Sequence, residues 1–226
     1  MFNRISDYGF LKRVDSGCCS LFSNGLTWPD MAIQTPGLVY KTSELDIYLK
    51  CPNQASTLML IKETLNEHDL RLLADAFYRP VGEWVNMFYN LKSVELDEKI
   101  ELTICQLDSS DDSYLKMWCR VVSEQLFRGK QLDIDLFKAL VAKDEFKLYA
   151  GICNGVVIST SLTFQGSDKG IYMVATDKVY QRRGFGKKIV SKILSDCYLE
   201  GLDAVYLQST VAGIKLYQTM GFAENS

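Results

Sequence analysis

The stretch that decides the fold reads VATDKVYQRRGFGK and covers residues 174–187. An apolar strand ends there, a short loop follows, and Gly184 and Gly186 stand where a helical pattern begins. Because glycine lacks a Cβ atom, the backbone N–H groups beside it can approach an anion closely. A helix start directs its unpaired N–H donors and the positive end of its dipole to the same place. The stretch therefore predicts either a cradle for phosphate groups or a tight helix start without a ligand.

Basic side chains surround the two glycines, although the chain as a whole has a formal net charge of -3. They are Arg182, Arg183, Lys187 and Lys188. Two familiar phosphate-binding motifs do not fit. A P-loop needs four residues between its glycines, whereas only Phe185 separates these two. A dinucleotide fold needs a third glycine three residues later in a parallel series of strands, but Ile189 stands there and the preceding strands are typical of an antiparallel meander.

Periodicity on both sides of this stretch predicts the elements of the second half. Apolar residues recur at helical spacing in 115–126, 134–141 and 189–197, and strands are predicted at 147–153, 156–164, 170–176 and 204–208. Asn154 and Gly155 are typical of a two-residue hairpin, because both turn positions require a positive φ. The second half is therefore predicted to be two helices, an antiparallel meander and a strand–helix–strand crossover, followed by a last helix that ends near Gly221.

The first half is predicted to be a separate α/β lobe. A helix begins at Ser43, which has capping-box spacing to Asp46, and a second helix is capped by Asn66. Strands are predicted at 57–61, 84–91 and 100–104. Because polar residues interrupt the pattern at 108–113, we place the domain boundary there and expect domains at 1–107 and 108–226.

The second half resembles the GNAT superfamily, the acyl-coenzyme A-dependent N-acyltransferases. Gln181, Gly184 and Gly186 match the pyrophosphate-binding signature of that family, Gln/Arg-x-x-Gly-x-Gly/Ala. The run LQSTVAGIKLYQTMGF at residues 207–222 resembles the second motif of one bacterial GNAT group. The resemblance covers residues 114–222 and implies a mixed, mainly antiparallel sheet flanked by helices. In that bacterial group a degenerate GNAT-like lobe often precedes the working one, so residues 1–107 are expected to form such a lobe.

The resemblance also implies an activity. It is the transfer of an acetyl group from acetyl-CoA to a primary amine of a small molecule or peptide, by direct attack of the amine on the thioester. Tyr217 aligns with the general acid that protonates the departing thiolate; without the motif, a half-buried helix aromatic is the simpler reading of Tyr217. The residues implied to contact acetyl-CoA are Val174, Ala175, Thr176, Gln181, Arg182, Arg183, Gly184, Phe185, Gly186, Lys187 and Ser209.

The sequence departs from the family pattern in three places. Thr210 stands where many relatives have an asparagine that contacts the cofactor. No carboxylate lies within 170–176, where several relatives keep a general base, so the proton is expected to leave through water or through Glu124, Asp133 or Asp135. Only four residues follow Phe222, too few for the further strand of the family, and we expect the first half to cover the sheet edge this leaves. A catalytically silent CoA-binding or interaction module is the alternative.

The composition of the chain excludes several further classes of function. The chain has 226 residues, of which 47% are hydrophobic and 23% charged. It has no cationic surplus for nucleic acid or an anionic membrane. A single histidine, His68, excludes sites with several histidine ligands, so no metal is expected. Seven cysteines without a C-x-x-C pair, no signal peptide and no membrane-length apolar run indicate free thiols in the cytoplasm. We expect a monomer or homodimer that works on acetyl-CoA and an amine.

Overall fold

The computed structural model of the chain describes residues 1, 12–16, 19–23, 30–34, 42–50, 57–60, 64–80, 82–92 and 102–224. The chain divides into two compact units, Met1–Val81 and Gly82–Ser226. The second unit begins well before the boundary that the sequence suggested at residues 107 and 108. The reason is physical, because two strands that precede residue 108 are paired into the sheet of the second unit.

The first unit has a four-stranded sheet of order β1-β2-β3-β4. Its elements are β1 Lys12–Ser16, β2 Cys19–Ser23, β3 Asp30–Gln34, α1 Thr42–Leu49, β4 Thr57–Met59 and α2 Glu67–Asp75. The first three strands are antiparallel, and β4 pairs parallel to β3. A small core joins the sheet to α1 through Cys19, Ala32, Leu45 and Tyr48.

The sequence predicted the start of α2 correctly and the start of α1 incorrectly. The Asn66 side chain accepts the Asp69 N–H at 3.0 Å, and the Asp69 carboxylate accepts the Asn66 N–H at 3.1 Å. This capping box confirms the predicted start of α2. Helix α1 begins at Thr42, so the predicted cap Ser43 lies inside the helix.

The second unit is built on a seven-stranded sheet of order β11-β5-β10-β9-β8-β7-β6. Its elements are β5 Trp84–Asn90, β6 Thr103–Leu107, α3 Asp112–Leu126, α4 Ile134–Val141, β7 Phe146–Cys153, β8 Val156–Gln165, β9 Lys169–Thr176, α5 Phe185–Leu199, β10 Ala204–Thr210, α6 Val211–Thr219 and β11 Ala223–Glu224. Among the described strands of this sheet, β9 and β10 form the one parallel pair. The predicted fold class, a mixed and mainly antiparallel sheet flanked by helices, is confirmed.

The hairpin between β7 and β8 forms where the sequence predicted it. Asn154 has a φ of 49° and Gly155 a φ of 75°. Both residues are in the left-handed region that a two-residue hairpin turn of this type requires. The hairpin brings β7 and β8 together from Cys153↔Val156 to Phe146↔Phe164.

Helices α5 and α3 pack against the sheet. The stripe of α5 that the sequence predicted to be apolar is buried, and it packs with residues of β10, α6 and β5. This cluster includes Ile189, Val190, Ile193, Leu194, Cys197, Val205, Leu207, Tyr217, Phe222 and Met87. Helix α3 buries Trp118 completely, and its indole Nε1 donates a hydrogen bond to the Tyr149 carbonyl at 3.0 Å.

The edge of β10 is covered by β5, a strand from the first half of the sequence. The two strands pair antiparallel from Ala204↔Asn90 to Thr210↔Trp84. Strand β11 pairs with the other edge of β5 through Ala223↔Phe88 and Glu224↔Met87. The expected cover of this edge by the first half is therefore confirmed, and residues 84–90 provide it.

Five described cysteines, Cys19, Cys105, Cys119, Cys153 and Cys197, are free thiols. Among the helices of the described ranges, none is long and apolar enough to cross a membrane.

Because two of these thiols have raised pKa values, we expect the protein to lose stability at alkaline pH. Burial raises the pKa of Cys197 to about 11 and that of Cys119 to about 12, against about 8.5 in an unfolded chain. The unfolded state therefore releases these protons first. The free energy of unfolding should be at its full value below about pH 8.5 and fall as the pH rises toward the folded-state values. Urea midpoints measured across this range test the slope. A Cys119→Ala/Cys197→Ala variant should show a shallower decline, and an equal decline would assign the effect to other groups.

Candidate functional site

A wedge opens between the two parallel strands of the second unit. Strands β9 and β10 pair only at Val205↔Lys169, Tyr206↔Gly170 and Leu207↔Ile171. Beyond Ile171, β9 remains paired to β8 on its outer side, and β10 remains paired to β5. Because the facing edges have parted, their backbone groups are available to an extended ligand that adds like a strand.

A β-bulge shapes the β9 side of the wedge. Thr160 pairs with Ala175 and Leu162 with Tyr172, so Met173 and Val174 together oppose Ser161. Met173 has a φ of 52°, a left-handed conformation that a bulge accommodates.

Two hydroxyl groups of β8 hold this irregular backbone. Thr160 Oγ1 donates to the Met173 carbonyl at 3.1 Å, and Ser161 Oγ donates to the Tyr172 carbonyl at 3.1 Å. The bulge therefore turns the strand while these carbonyls stay satisfied.

The loop after β9 forms a concave turn that leads into α5. The Asp177 carboxylate accepts the Val179 N–H at 3.1 Å, which caps a short 3-10 turn at Lys178–Tyr180. Gln181 Nε2 donates to the Thr176 carbonyl at 3.0 Å and so ties the loop to the end of β9. Arg182 follows with a φ of 61°. A loop with left-handed residues before a helix start is the geometry of backbone nests that bind anions.

The two glycines of the signature have separate roles in this turn. Gly184 is the N-cap of α5 and has a φ of 82°, a left-handed conformation that disfavours other residues. A Cβ atom on Gly186 would lie 3.4 Å from Thr176 Oγ1, so glycine lets the first turn of α5 pack closely on the end of β9.

Several positively charged side chains lie around this turn. The Arg183 guanidinium lies 5.6 Å from the centroid of the Tyr180 ring, and Arg120 forms an ion pair with Asp177 at 3.3 Å. Arg182 and Arg183 are exposed, and Lys187 and Lys188 are half-buried. Together with the N-terminal end of the α5 dipole, these side chains favour an anion at the mouth of the wedge.

Tyr217 of α6 lies in the core cluster that also contains Ile171 and Leu207, the last paired residues before the wedge. Its ring packs edge-on against Phe222 at 5.5 Å between centroids. A Cβ atom on Gly213 would lie 3.3 Å from this ring, so the glycine leaves room for it. Burial raises the pKa of Tyr217 to about 12, and the phenol keeps its proton at neutral pH.

Residues 135–224 match the family model of the acetyltransferase (GNAT) domain. This part of the chain is a GNAT domain.

Solved structures share the fold at low identity. A GCN5-related N-acetyltransferase from Kribbella flavida is 12% identical with a TM-score of 0.63, and the alignment covers 99% of this chain and 92% of that chain. A protein of unknown function from Staphylococcus epidermidis is 12% identical with a TM-score of 0.61, covering 100% and 94%. A GCN5-related N-acetyltransferase from Sphaerobacter thermophilus is 18% identical with a TM-score of 0.56, covering 71% and 54%. No curated protein matches the sequence significantly.

The GNAT domain brings the sequence-predicted residues to one place. Residues 174–176 lie on the strand edge that faces the wedge, residues 181–187 form the turn at its mouth, and Tyr217 lies in the core beside its inner end. Phe185 is buried and stacks edge-on with Tyr180, so its side chain packs inside the domain. Ser209 is buried and its hydroxyl donates to the Thr210 carbonyl at 2.8 Å.

Two of the carboxylates that the sequence offered as bases have structural partners in the second unit. Asp133 caps α4 by accepting the N–H groups of Asp135 and Leu136 at 3.0 and 3.2 Å. Glu124 pairs with Arg120 at 3.4 Å. Within the described ranges, no three His, Cys, Asp or Glu side chains are placed to hold a metal ion.

Sequence reasoning missed the bulge, the Thr160 and Ser161 hydroxyls that hold it, and the side chains at the point where β9 and β10 part. The sequence signal for the bulge was the run of three hydroxyl residues, Ser159–Ser161, in β8.

Proposed function

We propose that the chain is an N-acetyltransferase that transfers the acetyl group of acetyl-CoA to a primary amine. The observation that carries this proposal is the wedge between β9 and β10, which ends at the basic turn before α5. The pantetheine arm would lie in the wedge and pair with backbone groups of Val174 and Thr176. Its pyrophosphate would meet the N–H groups of residues 182–187.

The reaction would proceed by direct attack. The neutral amine nitrogen forms a bond to the thioester carbon, and the carbonyl oxygen takes up the negative charge. Backbone N–H groups on the wedge edge of β9, near the bulge, would stabilise that oxyanion. Collapse of the intermediate breaks the carbon–sulfur bond, and the amine nitrogen loses its extra proton to water.

Tyr217 would give its proton to the departing thiolate, and the phenolate left behind would take a proton back from water. Its raised pKa keeps the phenol protonated in the resting enzyme. The burial that raises the pKa of the phenol would also raise the pKa of a thiol released beside it, so the proton has an acceptor of comparable basicity.

Binding of acetyl-CoA should stabilise the protein against unfolding. Acetyl-CoA at a hundred times its dissociation constant should stabilise the protein by about 2.7 kcal/mol, a rise in Tm of about 5–10 °C for a protein of this size. Gly184→Glu should abolish the rise, because it places bulk and negative charge where the pyrophosphate would lie. Thermal unfolding with and without acetyl-CoA measures this.

The chain offers a matched control for that variant. Gly201 lies just beyond the other end of α5 with a φ of 76°, and a Cβ atom there would have open space around it. Gly201→Glu therefore introduces the same charge at a similarly left-handed position and should keep the acetyl-CoA shift. A folded wild-type protein with no shift would contradict the proposal.

We also propose that the first unit is a degenerate GNAT-like half without a cofactor site. Its order of three antiparallel strands, a helix, a parallel strand and a helix repeats the order from β7 to α6. The sequence between β3 and α1 contains Gly37 but lacks the Gln-x-x-Gly-x-Gly spacing. Location in the cytoplasm and a monomeric or homodimeric state stay predictions.

A further inference from the structure

The second unit has a second surface beside the wedge, on the opposite face of the sheet from α5 and α6. Val205 and Leu207 of β10 pack into the cluster with those helices. Because side chains alternate along a strand, Tyr206 and Gln208 project from the other face. The strand register places Phe88, Asn86 and Trp84 of β5 on that same face, opposite Tyr206, Gln208 and Thr210.

The side chains on this face contact one another. The Phe88 and Tyr206 rings are 6.4 Å apart, and Gln208 Nε2 donates to Asn86 Oδ1 at 3.0 Å. A Cβ atom on Gly170 would lie 2.5 Å from the Tyr172 ring, so this ring lies over the glycine, whose strand partner is Tyr206. We call the set the platform; it consists of Trp84, Asn86, Phe88, Tyr172, Tyr206 and Gln208.

The platform is open and begins at the wedge. Trp84 is 51% exposed, Asn86 and Gln208 are exposed, and the other three side chains are half-buried. Tyr172 and Gln208 directly follow the last residue pair of β9 and β10. They therefore stand on either side of the point where the strands part, across the sheet from Tyr217.

The platform is uncharged. Its members are four aromatic side chains and two carboxamides, and burial raises the pKa of Tyr172, which keeps that phenol neutral. Two carboxylates are its neighbours in the chain. The Glu224 carboxylate accepts a hydrogen bond from Gln218 Nε2 of α6 at 3.3 Å, on the other face of the sheet, and Glu83, one residue before Trp84, is placed toward that other face by the alternation of side chains. A polycationic acceptor gains affinity from carboxylates that pair with its charges, and the platform has none. Aromatic side chains favour a flat apolar ring instead.

We propose that the platform binds the acceptor and that the acceptor is an arylalkylamine, a single primary amine joined to an aromatic ring by a short chain without a further positive charge. This inference rests on the proposed acetyltransferase function. The amine would lie at Tyr172 and Gln208, where it meets the thioester, and the ring would lie toward Trp84. Trp84 lies diagonally across from Gln208, two residues beyond its strand partner Asn86, at a distance of about 7–8 Å. That span matches an arylethylamine.

The test compares acceptors on the full chain by CoA release. Tryptamine and phenethylamine are the probes, and spermidine and kanamycin are the polycationic comparison. We expect kcat/KM to be at least about tenfold higher for the aromatic monoamines, the discrimination typical of one well-packed contact. Trp84→Ala should raise the KM for tryptamine about fivefold, while Trp84→Phe should keep most of the affinity and the KM for acetyl-CoA should not change. Leu199→Ala, an exposed apolar truncation at the far end of α5, should change neither constant.

The acceptor preference and the effect of Trp84→Ala decide whether the platform binds an arylalkylamine. Preference for spermidine or kanamycin, or an unchanged KM in Trp84→Ala, would overturn it and leave the acetyltransferase function standing. Acetyl-CoA binding without acetylation of either aromatic amine would also overturn it. If acetyl-CoA neither binds nor is consumed, the proposed function fails as well, and the thermal shift identifies that case separately.

Discussion

Replacing Tyr217 with phenylalanine should lower turnover on the order of 10²-fold or more while acetyl-CoA affinity stays nearly constant. The change removes the proton donor and keeps the ring that packs against Phe222. Because the effect falls on the departure of the thiolate, kcat and kcat/KM should fall together. Steady-state kinetics under conditions limited by chemistry measure this.

Tyr89 provides the matched control, since its ring also packs against Phe222, at 5.2 Å. Tyr89→Phe should leave turnover near the wild-type value. The pH profile adds a second readout. With a pKa of about 12 for Tyr217, loss of its proton should not depress the wild-type rate below about pH 10. Equal turnover in Tyr217→Phe would assign this residue to packing, and acetyl-CoA binding without any turnover in the wild type would favour the silent CoA-binding module.

Removing residues 1–105 should yield a GNAT domain that aggregates, and this is the second large effect. The deletion takes away β5, which pairs with β10 along its whole length and carries the fully buried Met87. It also removes Thr103–Cys105 of β6, which pair with β7 at the opposite edge of the sheet. The edge of β10 would be left with unpaired backbone groups, a template for association with other chains. Loss of one buried methionine alone costs about 2–5 kcal/mol. Size-exclusion chromatography and light scattering detect the aggregate.

Removing residues 1–81 is the matched control, because it keeps β5 and all the described strands of the second unit. This shorter deletion should stay monodisperse and retain the acetyl-CoA shift. If the protein lacking residues 1–105 is equally soluble and binds acetyl-CoA, β5 is not required to protect the edge of β10.

Local features of the sequence determined most of the second unit. The start of α5 at Gly184 follows from a glycine that adopts a left-handed conformation, and the hairpin at Asn154 and Gly155 follows from two residues that tolerate positive φ. Apolar periodicity determined which face of α5 is buried. These signals are readable because each depends on residues within one or two turns of chain.

The tertiary structure decided the pairings between distant residues. Trp84 lies opposite Thr210, a contact that no local pattern encodes, and this pairing moved the unit boundary away from the polar run at 108–113. The separation of β9 from β10 after Ile171 and the bulge at Met173 depend on the register of three strands at once. Strand propensity identifies a strand but not the strand with which it pairs. The partner is decided by cross-strand packing and backbone hydrogen bonds, which form only when the chain has folded. The sequence alone therefore determined the glycine turn before α5 and the place of Tyr217 on α6, whereas the fold decided the wedge and the platform beside it.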